Sequence, residues 1–146
     1  MTDSCGTIAV TFSASATYTL TTSLVASDAF NVNFAKTVSI YGLYATQGLA
    51  NKVSYTVEIN PFDAATDPTG AYWSQVGIFT DSTGTWTEEK ATYLSVASGA
   101  AGTSQTLTPL VIPTVNATQM RIKAKETISA GTAGTLKAVV VKNTFN

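Results

Sequence analysis

A chain of 146 residues fits one domain and is long enough to bury a core of its own. Charged residues make up 12% of it and the net charge is -1, so the chain lacks the basic footprint of an electrostatic nucleic-acid binder. Histidine is absent, which removes imidazole acid-base catalysis, the usual Ser and Cys triads and most zinc sites.

Met1 to Gly6 holds neither a basic region nor an apolar run, so no secretory leader is expected and synthesis in a cytoplasm is. Cys5, the single cysteine, cannot close an intrachain disulfide and reads as a plain terminal thiol. Thr7 to Phe12 is a first strand that groups Ile8, Val10 and Phe12, and Thr17 to Val25 reads as a second. The Ser13-Ala14-Ser15-Ala16 connection between them is small and uninformative. From Ser27 to Lys36 the pattern weakens, to a short strand or a loop that buries Phe30 and Phe34. Thr37 to Tyr44 restores alternation, with Val38, Ile40 and Gly42 inward.

Lys52 to Asn60 shows the clearest period of two. Val53, Tyr55, Val57 and Ile59 share one side, and Lys52, Ser54, Thr56 and Glu58 the other. Asn60-Pro61 stops that ladder, because proline has no N–H to donate. A small-residue loop over 62–70 leads into Tyr72 to Phe79, with Trp73, Gln75, Gly77 and Phe79 on one side. Asp81-Ser82-Thr83-Gly84 has the composition that closes a hairpin, and Thr85 to Val96 is the return strand, its first half facing solvent.

Residues 98–103 are small and turn-like. Gln105 to Ile112 packs Leu107, Leu110 and Ile112 but contains Pro109 and ends at Pro113, which suits a sheet edge or a broken strand. Gln119 to Glu126 alternates Met120, Ile122 and Ala124 inward against Arg121, Lys123 and Lys125 outward. Gly134 to Lys142 places Leu136, Ala138 and Val140 together, with Lys137, Val139 and Val141 opposite, so both faces of its end are expected to be covered, one of them by a neighbouring subunit.

Eight to nine short strands separated by Gly, Pro, Ser and Asp turns predict an all-β fold, a two-sheet β-sandwich of jelly-roll or Greek-key type. The whole of 1–146 reads as one domain, with 1–6 and 143–146 as arms that a partner orders. No run reaches membrane-spanning length, so neither membrane nor nucleic acid is an expected partner.

Candidate chemistry is sparse. Glu58 could pair with Glu88 or Glu126 as two acids of a glycosidase, whereas adjacent Glu88 and Glu89 point to opposite faces of a strand. Asp63, Asp67 and Asp81, with Asn60, are hard oxygen ligands for calcium, but their spacing matches no EF-hand and such residues are ordinary in turns. Asn116-Ala117-Thr118 is a glycosylation sequon by chance composition. Arg121, Lys123 and Lys125 form a basic stripe, with Lys137 or Lys142 nearby if the last two strands pair. It contacts an acidic partner or simply blunts a sheet edge. Tyr72, Trp73 and Trp86 are either core residues or an aromatic platform for sugars. No catalytic residue, resident metal or cofactor is expected.

The Thr-, Ala-, Gly- and Ser-rich strands, and the run from Tyr55-Thr56-Val57-Glu58-Ile59 through Tyr72-Trp73 to Trp86-Thr87-Glu88-Glu89-Lys90-Ala91-Thr92, resemble small virion proteins of tailed bacteriophages. The resemblance spans residues 37–142 and is to head decoration or cement proteins. It implies a viral structural protein, located in the virion, that binds the major capsid protein or other virion subunits and stabilises the assembled head as a homo-oligomer such as a trimer. Two alternatives stand beside it. One is a carbohydrate-binding module or receptor-binding domain that uses Trp73, Trp86 and Tyr72. The other is a tail or neck component.

Overall fold

The computed structural model describes residues 4–33, 35–45, 52–81, 86–90, 93–96, 104–107, 109–114, 116–128 and 134–145, with the backbone only at 4, 5, 52, 77–81, 86–90, 93–96, 105, 127, 128 and 145. Expectations about Phe34, the turn at 82–85, Ala91, Thr92 and the segment 98–103, and about the side chains of Cys5 and Trp86, lie outside the described residues.

Among the described residues fourteen strands follow one another: β1 (Ser4–Ala9), β2 (Tyr18–Thr19), β3 (Val25–Ala26), β4 (Phe30–Asn31), β5 (Thr37–Ala45), β6 (Lys52–Asn60), β7 (Ser74–Gln75), β8 (Gly77–Asp81), β9 (Trp86–Lys90), β10 (Tyr93–Val96), β11 (Ser104–Thr106), β12 (Leu110–Pro113), β13 (Gln119–Ile128) and β14 (Thr135–Phe145). All pairing is antiparallel. No helix of the described residues is long and apolar enough to cross a membrane.

Several short strands share one place in a sheet. In the first sheet β1 and β2 both pair β14, and β11 and β12 both pair β5, in the order β1-β14-β5-β11. In the second, β3 and β4 both pair β13, and β10 and β7 both pair β6, in the order β10-β6-β13-β3. Each sheet is thus four places wide. Counted along the chain, the first sheet runs first, eighth, third, sixth, and the second runs second, seventh, fourth, fifth. That is the order of a jelly roll, which decides between the two expected types of sandwich. Outside it stands β8–β9, a hairpin registered from Gly77↔Lys90 to Asp81↔Trp86 as a two-stranded sheet of its own.

The departures from the expected strands have local causes. Thr17 to Val25 is two strands because the chain changes sheets there: β2 lies on β14 and β3 on β13, with Leu20 fully buried at the crossing. Tyr72 to Phe79 and Thr85 to Val96 are each broken, since β7 and β10 hold to β6 while β8 and β9 leave it. The register of β14 on β5 shifts between Leu136 and Ala138. An extra residue in one strand reverses the phase of every side chain after it. Leu136, Val139, Val141 and Asn143 therefore face inward, and Ala138 and Val140, expected beside Leu136, face out.

Elsewhere the alternation holds. Val38, Ile40 and Tyr44 of β5, Val53, Tyr55 and Val57 of β6, and Met120, Ile122 and Ala124 of β13 are buried between the sheets with Val10, Phe12, Leu20 and Val32. Each such large apolar side chain contributes roughly 1.5–3 kcal/mol relative to exposure. Ser54 and Thr56, expected at the surface, are buried too. They sit on a central strand opposite Lys125 and Lys123, below the reach of those longer side chains. Of the terminal segments expected as arms, the described residues pair with each other: Ser4, Cys5 and Gly6 lie opposite Phe145, Thr144 and Asn143.

The connection after Phe12 is a tight turn in which Ser13 and Ala14 take φ of 50° and 61°. Phe12 and Ser15 exchange both backbone hydrogen bonds, at 2.8 and 3.0 Å. Asp28 anchors the turn, accepting from Thr11 Oγ1 at 2.6 Å and from Ala14 N–H at 2.7 Å.

Candidate functional site

Two surfaces qualify, one on each sheet. On the second sheet Arg121 and Glu58 are cross-strand partners on β13 and β6. Arg121 Nε donates to Glu58 Oε2 at 2.5 Å and Lys123 Nζ to Oε1 at 2.9 Å, so one carboxylate serves two members of the basic stripe. Burial opposes the charge on Glu58, but the hydrogen bonds and positive charges of Lys123 and Arg121 outweigh it and hold the carboxyl below its ordinary value. Lys125 follows on the same face, opposite Ser54. The stripe is not an edge device, because β13 lies between β6 and the β3, β4 place. Nor do Lys137 and Lys142 extend it, since β14 belongs to the other sheet.

The guanidinium carbon of Arg121 sits 4.3 Å from the centre of the Trp73 ring, a cation–π contact. Tyr72 packs edge-on to Phe62 with ring centres 4.9 Å apart, and 57% of it is exposed. Trp73 and Tyr72 therefore serve different neighbours rather than one flat platform. Trp86 lies opposite Asp81 in the separate hairpin. Ser27, Thr69, Trp73, Gln119 and Arg121 line an open groove of about 410 Å³.

Asp67 organises the loop that carries Trp73. It is buried and accepts from Asn60 Nδ2 at 2.8 Å, Ala71 N–H at 2.9 Å and Tyr72 N–H at 3.1 Å. Burial again raises its pKa, and the donors, Asn60 first, more than reverse this. Asp63 accepts from Thr66 N–H at 2.8 Å in the same loop. These are the roles of turn residues, and no group of three or more metal-ligating side chains occurs among the described residues. Asn116, of the sequon, takes φ of 63° in the turn closed by Ala117 N–H on Thr114 O.

Glu58 and Glu126 do not form the expected acid pair, and the side chain of Glu88 lies outside the described residues. Glu58 lies outside with its cations, whereas Glu126 continues the inward phase of Met120, Ile122 and Ala124 and is 1% exposed. It accepts from the Tyr44 hydroxyl and the Gly134 N–H. The same period of two that placed Met120 in the core carries the signal for Glu126.

The outer face of the first sheet is the second surface. Tyr41 and Leu43 of β5 are 43% and 41% exposed and Val111 of β12 is 66% exposed. Tyr41, Leu43, Thr106, Ala138 and Val140 line a shallow groove of about 120 Å³ on this face. Sequence reasoning expected a subunit to cover one face of β14 but put Val139 and Val141 on the face opposite Leu136, Ala138 and Val140; the bulge turns them inward and brings Ala138 and Val140 to the outer face.

No protein-family model matches the sequence, and no curated protein matches it. Two solved viral chains share the fold. A chain from infectious bursal disease virus, Gx strain, aligns over 99% of this chain at 15% identity and a TM-score of 0.54. One from the VP2 subviral particle of the same virus aligns over 99% at 14% identity and a TM-score of 0.54. A xylan-binding module aligns over 97% of both chains at 12% identity and a TM-score of 0.48. The chain covers 32% and 33% of the two viral chains, about a third of their length. The likeness to them is one of fold: a jelly-roll sandwich of the kind found in those virus-particle chains.

Proposed function

We propose that this chain is a structural subunit of a virus particle, one that acts by docking against other subunits and catalyses nothing. The observation that carries the reading is the outer face of the first sheet, where Tyr41, Leu43 and Val111 leave apolar surface to be covered. The fold shared with virus-particle chains supports it. So does the absence of histidine from the sequence. In its finer form the protein is a decoration or cement protein on a tailed-phage head, bound to the major capsid protein as a homo-oligomer, a trimer for choice. Many modest contacts then add through symmetry. A tail or neck position differs only in address.

The test is mass spectrometry of purified particles together with rebinding of the chain to particles lacking it. A fixed copy number relative to the shell protein, and a higher temperature of particle opening after rebinding, are expected. Absence from particles, with no rebinding, sinks the reading.

The groove beside Trp73 and Arg121 favours a second reading, a glycan- or receptor-binding domain. A glycan array decides it: binding abolished by Trp73→Ala would favour this alternative over docking.

A further inference from the structure

Two features remain that the docking reading does not explain. The described strands of the first sheet, β1, β2, β5, β11, β12 and β14, carry Lys137 and Lys142 and not one carboxylate. Both lysines are exposed, beside the apolar groove of Tyr41, Leu43 and Val140. A partner for this face needs apolar side chains accompanied by acids. Face-to-face packing of two copies fails that requirement, because it sets lysine against lysine.

The second feature is the β8–β9 hairpin. It departs from the second sheet just after β7 and returns to it at β10, an excursion between two segments that lie on the same side of β6. Among the described residues it forms a ladder with neither sheet. A lone two-stranded hairpin is marginal in water and needs another surface to pack on. Its register puts Phe79, Asp81, Trp86 and Glu88 at positions of one face, with a single Lys90, and Ile78 and Glu89 at positions of the other. That is the chemistry the first sheet lacks.

We infer that the hairpin of one copy docks on the outer face of the first sheet of the next, with the face of the ladder that carries Asp81 and Glu88 toward Lys137 and Lys142. The inference deepens the subunit reading above and rests on it. The contact joins two different patches, so it is head-to-tail: it closes a ring such as a trimer when the rotation allows, and otherwise propagates.

Charge reversal tests this with the full-length chain. Sedimentation velocity over a range of concentrations is expected to show self-association of the wild type, weakened tenfold or more by Lys137→Glu with Lys142→Glu, and equally by Asp81→Lys with Glu88→Lys. Mixing the two variants restores association, since each then offers the patch that the other has lost. Glu88→Lys alone serves as a second hairpin variant if the double one does not fold, and circular dichroism checks folding throughout. A wild type that stays monomeric at every concentration overturns the inference, as does association indifferent to both reversals, or a mixture that behaves like its parts. Particle binding is scored separately. Retention on particles without self-association removes this contact and leaves the subunit reading. Self-association without any particle binding does the reverse.

Discussion

The hydroxyl of Tyr44, on β5 of the first sheet, donates a hydrogen bond to the carboxylate of Glu126, on β13 of the second, and both side chains are buried. The same Oε1 accepts the N–H of Gly134, just ahead of β14. Leu20 N–H meets Gly134 O at 3.0 Å and Glu126 N–H meets Thr21 O at 2.8 Å, so the point where the chain crosses between the sheets is closed around this group. A polar tie inside a low-dielectric core holds the two layers in one register.

Tyr44→Phe is accordingly expected to cost about 1.5–3 kcal/mol, the range for a hydrogen bond to a charged or strongly polar acceptor in the interior. Gly134→Ala removes no polar partner, yet a Cβ there would collide with the Tyr44 hydroxyl oxygen and ring. The buried Tyr44 ring or the backbone must shift, and a loss of about 1–3 kcal/mol is expected. Urea unfolding of the two variants checks both, and a neutral Gly134→Ala would show that the corner is loose.

The bulge in β14 makes adjacent valines opposite in kind. Val139 is 7% exposed and faces the core, whereas Val140 lies on the outer face. Val139→Asp is expected to lose about 4 kcal/mol or more, through an unpaired buried charge, and Val140→Asp no more than about 1. Thermal melts that rank them the other way would restore the unbulged phase.

Ala14 holds a left-handed backbone that L-residues adopt at a cost of roughly 1–2 kcal/mol. Glycine avoids that cost while loosening the unfolded chain. Ala14→Gly should therefore stabilise the protein by about 0.5–1 kcal/mol, read as a higher urea midpoint with unchanged slope.

Glu58 sets part of the response to acid. Its carboxyl is held below the ordinary 4.5, so its contribution is complete above that pH and is lost as the pH falls through the lowered value. Glu58→Gln is expected to be less stable by about 1 kcal/mol at pH 7 and to lose less than the wild type on acidification below about 4.5. Melting curves at stepped pH compare the two; parallel pH profiles would remove Glu58 from this role.

Asp67→Ala leaves Ala71 N–H, Tyr72 N–H and Asn60 without their shared acceptor. The loop then loses the geometry that sets Trp73 beneath Arg121. A lower melting temperature and a red shift of tryptophan emission in a Trp86→Phe background are the expected readouts. Unchanged emission would mean that Trp73 is held by the guanidinium without help from the loop.

Much of the fold was legible in the residue pattern, because strand pleating converts a period of two directly into inside and outside. Val38, Ile40, Val53, Tyr55, Val57, Met120 and Ile122 are buried as that rule requires. Prolines 109 and 113 marked β11 and β12 as edge segments of the first sheet for the equally local reason that proline has no N–H for a ladder. The candidate surfaces were less legible. Arg121, Lys123 and Glu58 could be placed outward, but their pairing needed the register of β13 on β6, and Trp73 reached Arg121 only through a loop. Pattern alone determined that this chain is an all-β sandwich with no histidine chemistry. Tertiary structure decided the jelly-roll order, the partner of each charge and, through one extra residue near Lys137, which face of β14 meets solvent. Those depend on which strands meet and in what register, and such contacts join residues far apart in sequence that no local period records.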